Sequence, residues 1–244
     1  MKTTLLATTF LALTAFAAAP VAQAASIVHD SIPEFTSIVG LQGQATNTAS
    51  NVGLTNVDAG RSLLGNMFDG DLNTAYSLGL GGTGAGGSLE LVISPTTNFI
   101  TSGSLIEWTF TGTSHAERAF VYLGLDGGGY VNIGEIFNTE NGGPAGVVNN
   151  ANGFATLSVG VDPGASYTSY VLTVTSGVFN TLKLQDNSTF GLGFGSQGGT
   201  RGRDGFDIAE LSITSTDGVI PEPATLALFG AGLLGLGLAR RRRA

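Results

Sequence analysis

Asp69, Asp71 and Asn73 place three oxygen-bearing side chains at alternate positions of a short glycine-containing loop, residues 67–76. Hard cations take such oxygen ligands at about 2.3–2.6 Å, and Ca2+ tolerates irregular loops. The loop is not an EF-hand, because the twelfth position from Asp69 is Leu80, where that motif needs a bidentate Glu. The same carboxylates could instead accept hydrogen bonds from their own backbone in Asx turns. Arg201 and Arg203 bring two guanidinium forks into one glycine-rich loop. Such forks bind carboxylates or sugar hydroxyls bidentately, or serve as solvated offsets to neighbouring acids. His115 and Glu117 would share one face of a strand. Zinc catalysis, however, needs three protein ligands, and His29 is the only other histidine. Tyr76, Tyr130 and Tyr167 are candidate exposed aromatics for stacking on sugar rings, with core or rim packing as the other explanation.

Much chemistry is excluded outright. The chain has no cysteine, so thiol nucleophiles, thiolate metal sites and disulfides are impossible. It has no G-x-S-x-G elbow for a serine nucleophile. The stretch Gly81 to Gly87 lacks a following helix and a Lys, and so does not read as a phosphate cradle. No pair among the acids is singled out as a glycosidase couple.

The elements that would hold these residues are short strands. Long helical periodicity is absent from the body, where 38 glycines of the chain and many Ser, Thr and Asn punctuate runs of period-two alternation. Leu89, Leu91 and Ile93 alternate in one run, Ile106, Trp108 and Phe110 in the next. Further strands are expected at 118–125, 130–137, 154–161, 167–175, 178–185 and 206–214, with another candidate at 190–194 and a loop at 138–152. The pattern predicts an all-β jelly-roll β-sandwich of about eight or nine antiparallel strands over residues 66–216. Residues 25–65 read as an irregular segment with a weak strand signal at 37–41.

Both ends look like addresses. Lys2, an apolar run from Leu5 to Ala19, and Ala22-Gln23-Ala24 form a signal peptide over residues 1–24, with Ala22 and Ala24 at the cleavage site. At the other end a linker, 217–223, leads to sixteen uncharged residues, 224–239, and an arginine-rich end, 240–244. As a helix those sixteen residues would span roughly 24 Å, short for a hydrocarbon core of about 30 Å. Ala227, Ala231, Gly235 and Ala239 recur every fourth residue, a stripe that lets another membrane helix come close. Arg240, Arg241, Arg242 and Arg243 would stay cytoplasmic, placing the body outside.

The order Pro221-Glu222-Pro223, apolar helix, arginine cluster resembles the PEP-CTERM sorting signal of Gram-negative bacteria. The resemblance implies recognition of Pro221, Glu222 and Pro223 by an exosortase-type membrane protease and only transient membrane insertion. The body has a second resemblance, to discoidin-like (factor V/VIII type C) domains of galactose-binding-like fold. It rests on the loop from Met67 to Tyr76, on Val121-Tyr122-Leu123 with Gly134-Glu135-Ile136, and on Asp204 to Leu211. Tyr76 stands where that family has tryptophan. The resemblance implies a structural Ca2+ held by the Asp69 and Glu210 side chains and by carbonyls of Asp71 and Ala209. The candidate ligand contacts, Arg201, Arg203 and Tyr76, rest on their own side-chain chemistry and not on this resemblance.

Charge narrows the partners. Five of the ten basic residues lie in the terminal signals, which leaves five against seventeen acids in the body, a net charge of −12. So acidic a body excludes nucleic acid as a natural partner. The expectation is a non-enzymatic exported protein of the envelope or extracellular matrix, associated with exopolysaccharide or biofilm and able to bind glycan. An extracellular polysaccharide hydrolase and a purely structural surface protein are the alternatives.

Overall fold

In the computed structural model the described residues are 26–42, 46–47, 52–53, 59–79, 86–94, 98–108, 117–125, 128–139, 143–188 and 205–217. In chain order the strands are β1 (Ser26–His29), β2 (Ser37–Leu41), β3 (Thr46–Asn47), β4 (Val52–Gly53) and β5 (Tyr76–Ser77). β6 (Ser88–Val92), β7 (Asn98–Trp108), β8 (Arg118–Gly124), β9 (Tyr130–Thr139) and β10 (Gly143–Asn149) follow. β11 (Ala155–Val159), β12 (Tyr167–Val174), β13 (Thr181–Asp186) and β14 (Asp207–Asp217) complete the set. Short 3-10 turns at Ile32–Glu34, Ala59–Arg61 and Leu64–Phe68 link early strands.

Two six-stranded antiparallel sheets carry the fold. The first runs β1-β14-β7-β12-β11, with β5 also paired to β14; the second runs β10-β9-β8-β13-β6-β2. A separate pair joins β3 to β4. Alternation explains the layering. Leu89 and Leu91 of β6 and Leu182 and Leu184 of β13 point inward from the second sheet, each at most 3% exposed. Leu211 and Ile213 of β14 meet them from the first. Truncating one such Leu to Ala would cost about 2–5 kcal/mol, through lost transfer energy and the cavity left behind. Leu105, Val121, Leu157 and Leu172 line an apolar cavity of about 30 Å3 between the sheets, which offers nothing polar to hold a water.

The all-β sandwich stands, with corrections. Among the described residues it has twelve strands in its two sheets rather than eight or nine. Residues 25–65, read as irregular, supply β1 to the edge of one sheet and β2 to the edge of the other. The unit runs from Ser26 to Gly218. Residues 143–149, read as loop, form β10, whose Gly-Pro-Ala-Gly start hides a strand paired with β9 across a register shift. The inward face of β7 is also reversed: Leu105 and Glu107 are buried, whereas Ile106 and Trp108 are half-buried on the other face. Among the described residues there is no α-helix, and none long and apolar enough to cross a membrane. The expected signal helix, sorting helix and 190–194 strand lie outside the described residues.

Candidate functional site

The 67–76 loop closes on itself. The Asp71 amide donates to Asp69 Oδ1 at 2.8 Å, and the Thr74 hydroxyl donates to Asp69 Oδ2 at 2.8 Å. Asp71 Oδ1 accepts from the Asn73 amide at 3.0 Å and from its side chain at 2.8 Å. Those two bonds hold the Asp71 carboxyl below the usual carboxylate range. These are Asx turns on an exposed loop. Across from it, Ile208 pairs with Glu107 and Glu210 with Ile106, so Ala209 is the extra residue of a β-bulge without a partner in register. The oxygen-only donor set of Asp69, Asp71, Ala209 and Glu210 thus suits a hard cation chemically. No three His, Asp or Glu side chains among the described residues converge on a common metal position.

Tyr76 is not the exposed aromatic expected. It is 2% exposed on β5, and its hydroxyl fills the space over Gly40 where a side chain would stand. Burial raises its pKa. No ring face is left for a sugar. Tyr130 is 40% exposed, and Tyr167 is half-buried. His29, expected in a loose N-terminal segment, is buried in β1, and its Nε2 lies 2.8 Å from the Ser215 hydroxyl. Arg201, Arg203, His115, Ala22, Ala24 and the motif from Pro221 to Arg243 lie outside the described residues.

The polar centre that sequence reasoning missed sits where β7 ends and β8 and β14 begin. Glu107, Glu117, Asp186 and Asp207 are all at most 6% exposed. Glu107 accepts from the Asn138 side chain at 2.7 Å and from the Tyr170 hydroxyl at 2.9 Å. Asp207 accepts from the Ser77 hydroxyl and pairs with Arg61 at 3.0 Å, and Arg61 also lies 5.1 Å over the Trp108 ring. Asp186 accepts from the Phe206 amide at 3.1 Å and from the Ser188 hydroxyl at 2.7 Å.

Burial, chiefly, pushes Glu107 up to about 8, helped by the charge of Asp207. Burial also raises Glu117 well above the usual range, with Asp207, Glu107 and Asp186 repelling its charged form. Asp207 is raised by burial, against the opposing pull of Arg61. The charge of Glu107 thus opposes ionisation of Glu117, whose Oε2 is buried without a hydrogen-bond partner. Burial and the neighbouring Glu107 drive the Tyr170 hydroxyl upward, so it stays a donor. Chemically this is a clamp of buried acids between two sheets, in which burial favours the protonated form of Glu107 and Glu117. Glycoside hydrolysis wants two carboxyls about 5–9 Å apart around a substrate, and Glu107 and Glu117, at 0% and 6% exposed, are closed off from one in this structure. The one sequence signal was Glu107 itself, an acid set between Leu105 and Trp108.

Residues 219–243 match the PEP-CTERM protein-sorting motif. The chain therefore carries the sorting signal of an exported, membrane-processed surface protein. No curated protein matches the sequence. Solved structures similar to this chain include a family 32 carbohydrate-binding module of Clostridium perfringens NanJ in complex with galactose. That match has 14% identity and a TM-score of 0.35, covering 78% of this chain and 99% of that one. A further module, CBM32-3 of a family 31 glycoside hydrolase from Clostridium perfringens, matches at 14% identity and TM-score 0.38, covering 76% and 93%. An F5/8 type C domain from Bacteroides fragilis matches at 10% identity and TM-score 0.37, covering 75% and 93%.

Proposed function

We propose that this chain is a non-enzymatic envelope or extracellular matrix protein whose sandwich binds glycan within an exopolysaccharide or biofilm setting. The observation that carries the reading is the sorting motif at residues 219–243. An exosortase-type membrane protease recognises Pro221, Glu222 and Pro223, cuts the tail after transient insertion in the inner membrane, and releases the body to the outer envelope or medium. The signal-peptide pattern at Ala22 and Ala24 supports the same direction of travel. A body of net charge −12 suits a soluble, hydrated setting and disfavours nucleic acid. A structural Ca2+ at Asp69, Asp71, Ala209 and Glu210 belongs to the same proposal. Its role is to pin the exposed loop to the β14 bulge.

Cell fractionation tests the sorting step. The wild-type chain should collect in the outer envelope and medium, and a Pro221→Ala, Glu222→Ala, Pro223→Ala chain should stay in the inner membrane. Equal distribution of the two would contradict the proposal.

A further inference from the structure

The two outer faces of the sandwich differ. On the sheet containing β7 the central rows are small, and rings stand at one end, where Trp108 pairs with Tyr167. Thr156, Thr173, Ser102 and Thr214 stand in register across four strands, and the adjacent row holds Ser158, Val171, Ser104 and Ser212. On the opposite sheet the outward rows carry rings. Phe120 and Tyr122 lie two residues apart on β8, with centroids 6.2 Å apart, and Tyr130 follows at 6.4 Å from Tyr122. Phe137 extends the stripe along β9.

Glycines opposite these rings shape the surface. Gly124 pairs with Tyr130, and a Cβ on Gly124 would stand 2.9 Å from the Tyr130 ring. Gly146 pairs with Phe137, whose ring fills the space of the missing Cβ. Tyr130 and Phe137 therefore lie close against the neighbouring backbone, while Phe120, Tyr122 and Tyr130 meet edge to face at interplanar angles of 68° and 78°. At its margins Val39, Leu41 and Val148 are 46%, 64% and 50% exposed.

Charge on this face is balanced, unlike the body around it. Lys183 lies 5.0 Å over the Tyr130 ring, whose hydroxyl bonds Glu90. Arg118 lies 5.3 Å over Phe137 and 3.6 Å from Glu135. Two cations and two anions cancel here, although the body carries −12. A strongly anionic chain would meet Glu90 and Glu135 and a wider acidic field. An uncharged chain meets aromatic surface for its C–H groups and polar donors and acceptors for its hydroxyls.

We infer that the outer face of the β10-β9-β8-β13-β6-β2 sheet is a binding platform for an uncharged polysaccharide chain, with Tyr130 and Tyr122 at its centre. The inference rests on the glycan-binding reading above and gives it a location.

Affinity electrophoresis of the full chain in detergent, through gels containing hydroxyethyl cellulose, dextran, galactomannan or alginate, tests it. The wild-type chain is retarded by at least one neutral polymer, to the same extent in low and high salt. Tyr130→Ala weakens that retardation at least tenfold. Gly124→Ala, which displaces the ring without removing it, weakens it too. Thr173→Ala, on the opposite face, leaves it unchanged, and matching melting temperatures show that all variants are folded. Retardation unaffected by the Tyr130 and Gly124 changes overturns the platform while leaving glycan binding standing. Retention by alginate alone, released by salt, overturns the uncharged ligand. No retention by any polymer overturns the platform together with the glycan-binding reading.

Discussion

Asn138 ties the two sheets together through Glu107, donating to its carboxylate at 2.7 Å from β9 to β7. The same side chain accepts from the Glu117 amide at 2.8 Å, so one residue positions both buried acids. The clamp closes the end of the sandwich with buried carboxyls where hydrophobic residues would be expected, and its consequences are thermodynamic.

The first consequence is pH dependence. Unfolded, Glu107 and Glu117 titrate near their ordinary 4.5; folded, Glu107 is pushed up to about 8 and Glu117 is also raised. Below pH 4.5 both states hold these protons, and the clamp contributes fully. As pH rises from about 4.5 through 8, the unfolded chain releases protons that the folded chain keeps, so stability falls. Glu34 and Asp71, held low chiefly by backbone amides, act in the opposite sense in acid. The melting temperature should peak near about pH 5 and drop by roughly 5 °C by about pH 8.5. Glu117→Gln should flatten that slope. A wild-type curve that rises over the same interval would contradict the clamp.

Arg61 is the cation facing this cluster among the described residues, with 20% of its side chain exposed against a fully buried Asp207. Arg61→Ala should destabilise the fold by about 3 kcal/mol, because it strands a buried carboxylate. Adding Asp207→Asn to that variant should recover more than half the loss. Urea unfolding of the two single variants and the double variant measures the coupling.

Alternation was legible where a strand had one apolar and one polar side, as at Leu89, Leu91 and Ile93. It misled at β7, because the outward positions there are Ile106 and Trp108 and the inward one is Glu107. A buried acid is intelligible only through its partners, and those are remote. Asn138 is 31 positions away, Tyr170 is 63, and Arg61 lies 146 positions from Asp207. The same limit hid the aromatic platform, since Tyr122 and Tyr130 read as separate strand residues until β8 and β9 pair. The sorting motif was readable because it is contiguous and needs no tertiary partner.

Backbone constraint makes a sharper test at two glycines. Gly205 has φ +76°, and a Cβ there would lie 2.8 Å from the Gly79 backbone. Gly153 has φ +72° with open space around it. Gly153→Ala should cost about 1 kcal/mol for the left-handed conformation alone. Gly205→Ala should cost at least twice as much, since the clash adds to the strain. Thermal melts showing equal losses would contradict the packing at Gly205.

Ca2+ offers a direct check on the 67–76 loop. If the cation bridges Asp69 and the β14 bulge, millimolar Ca2+ should raise the melting temperature by a few degrees and EDTA should reverse it. Asp69→Asn should abolish the response. Superimposable melts with Ca2+ and EDTA would leave the Asx turns as the loop's whole structure.

Intact-mass spectrometry of the protein recovered from the outer envelope and medium is the most direct test of the account. The predicted species begins near Ala25 and ends near Pro221 to Pro223, free of the four arginines. A species that retains residues 224–244 in those fractions would contradict it.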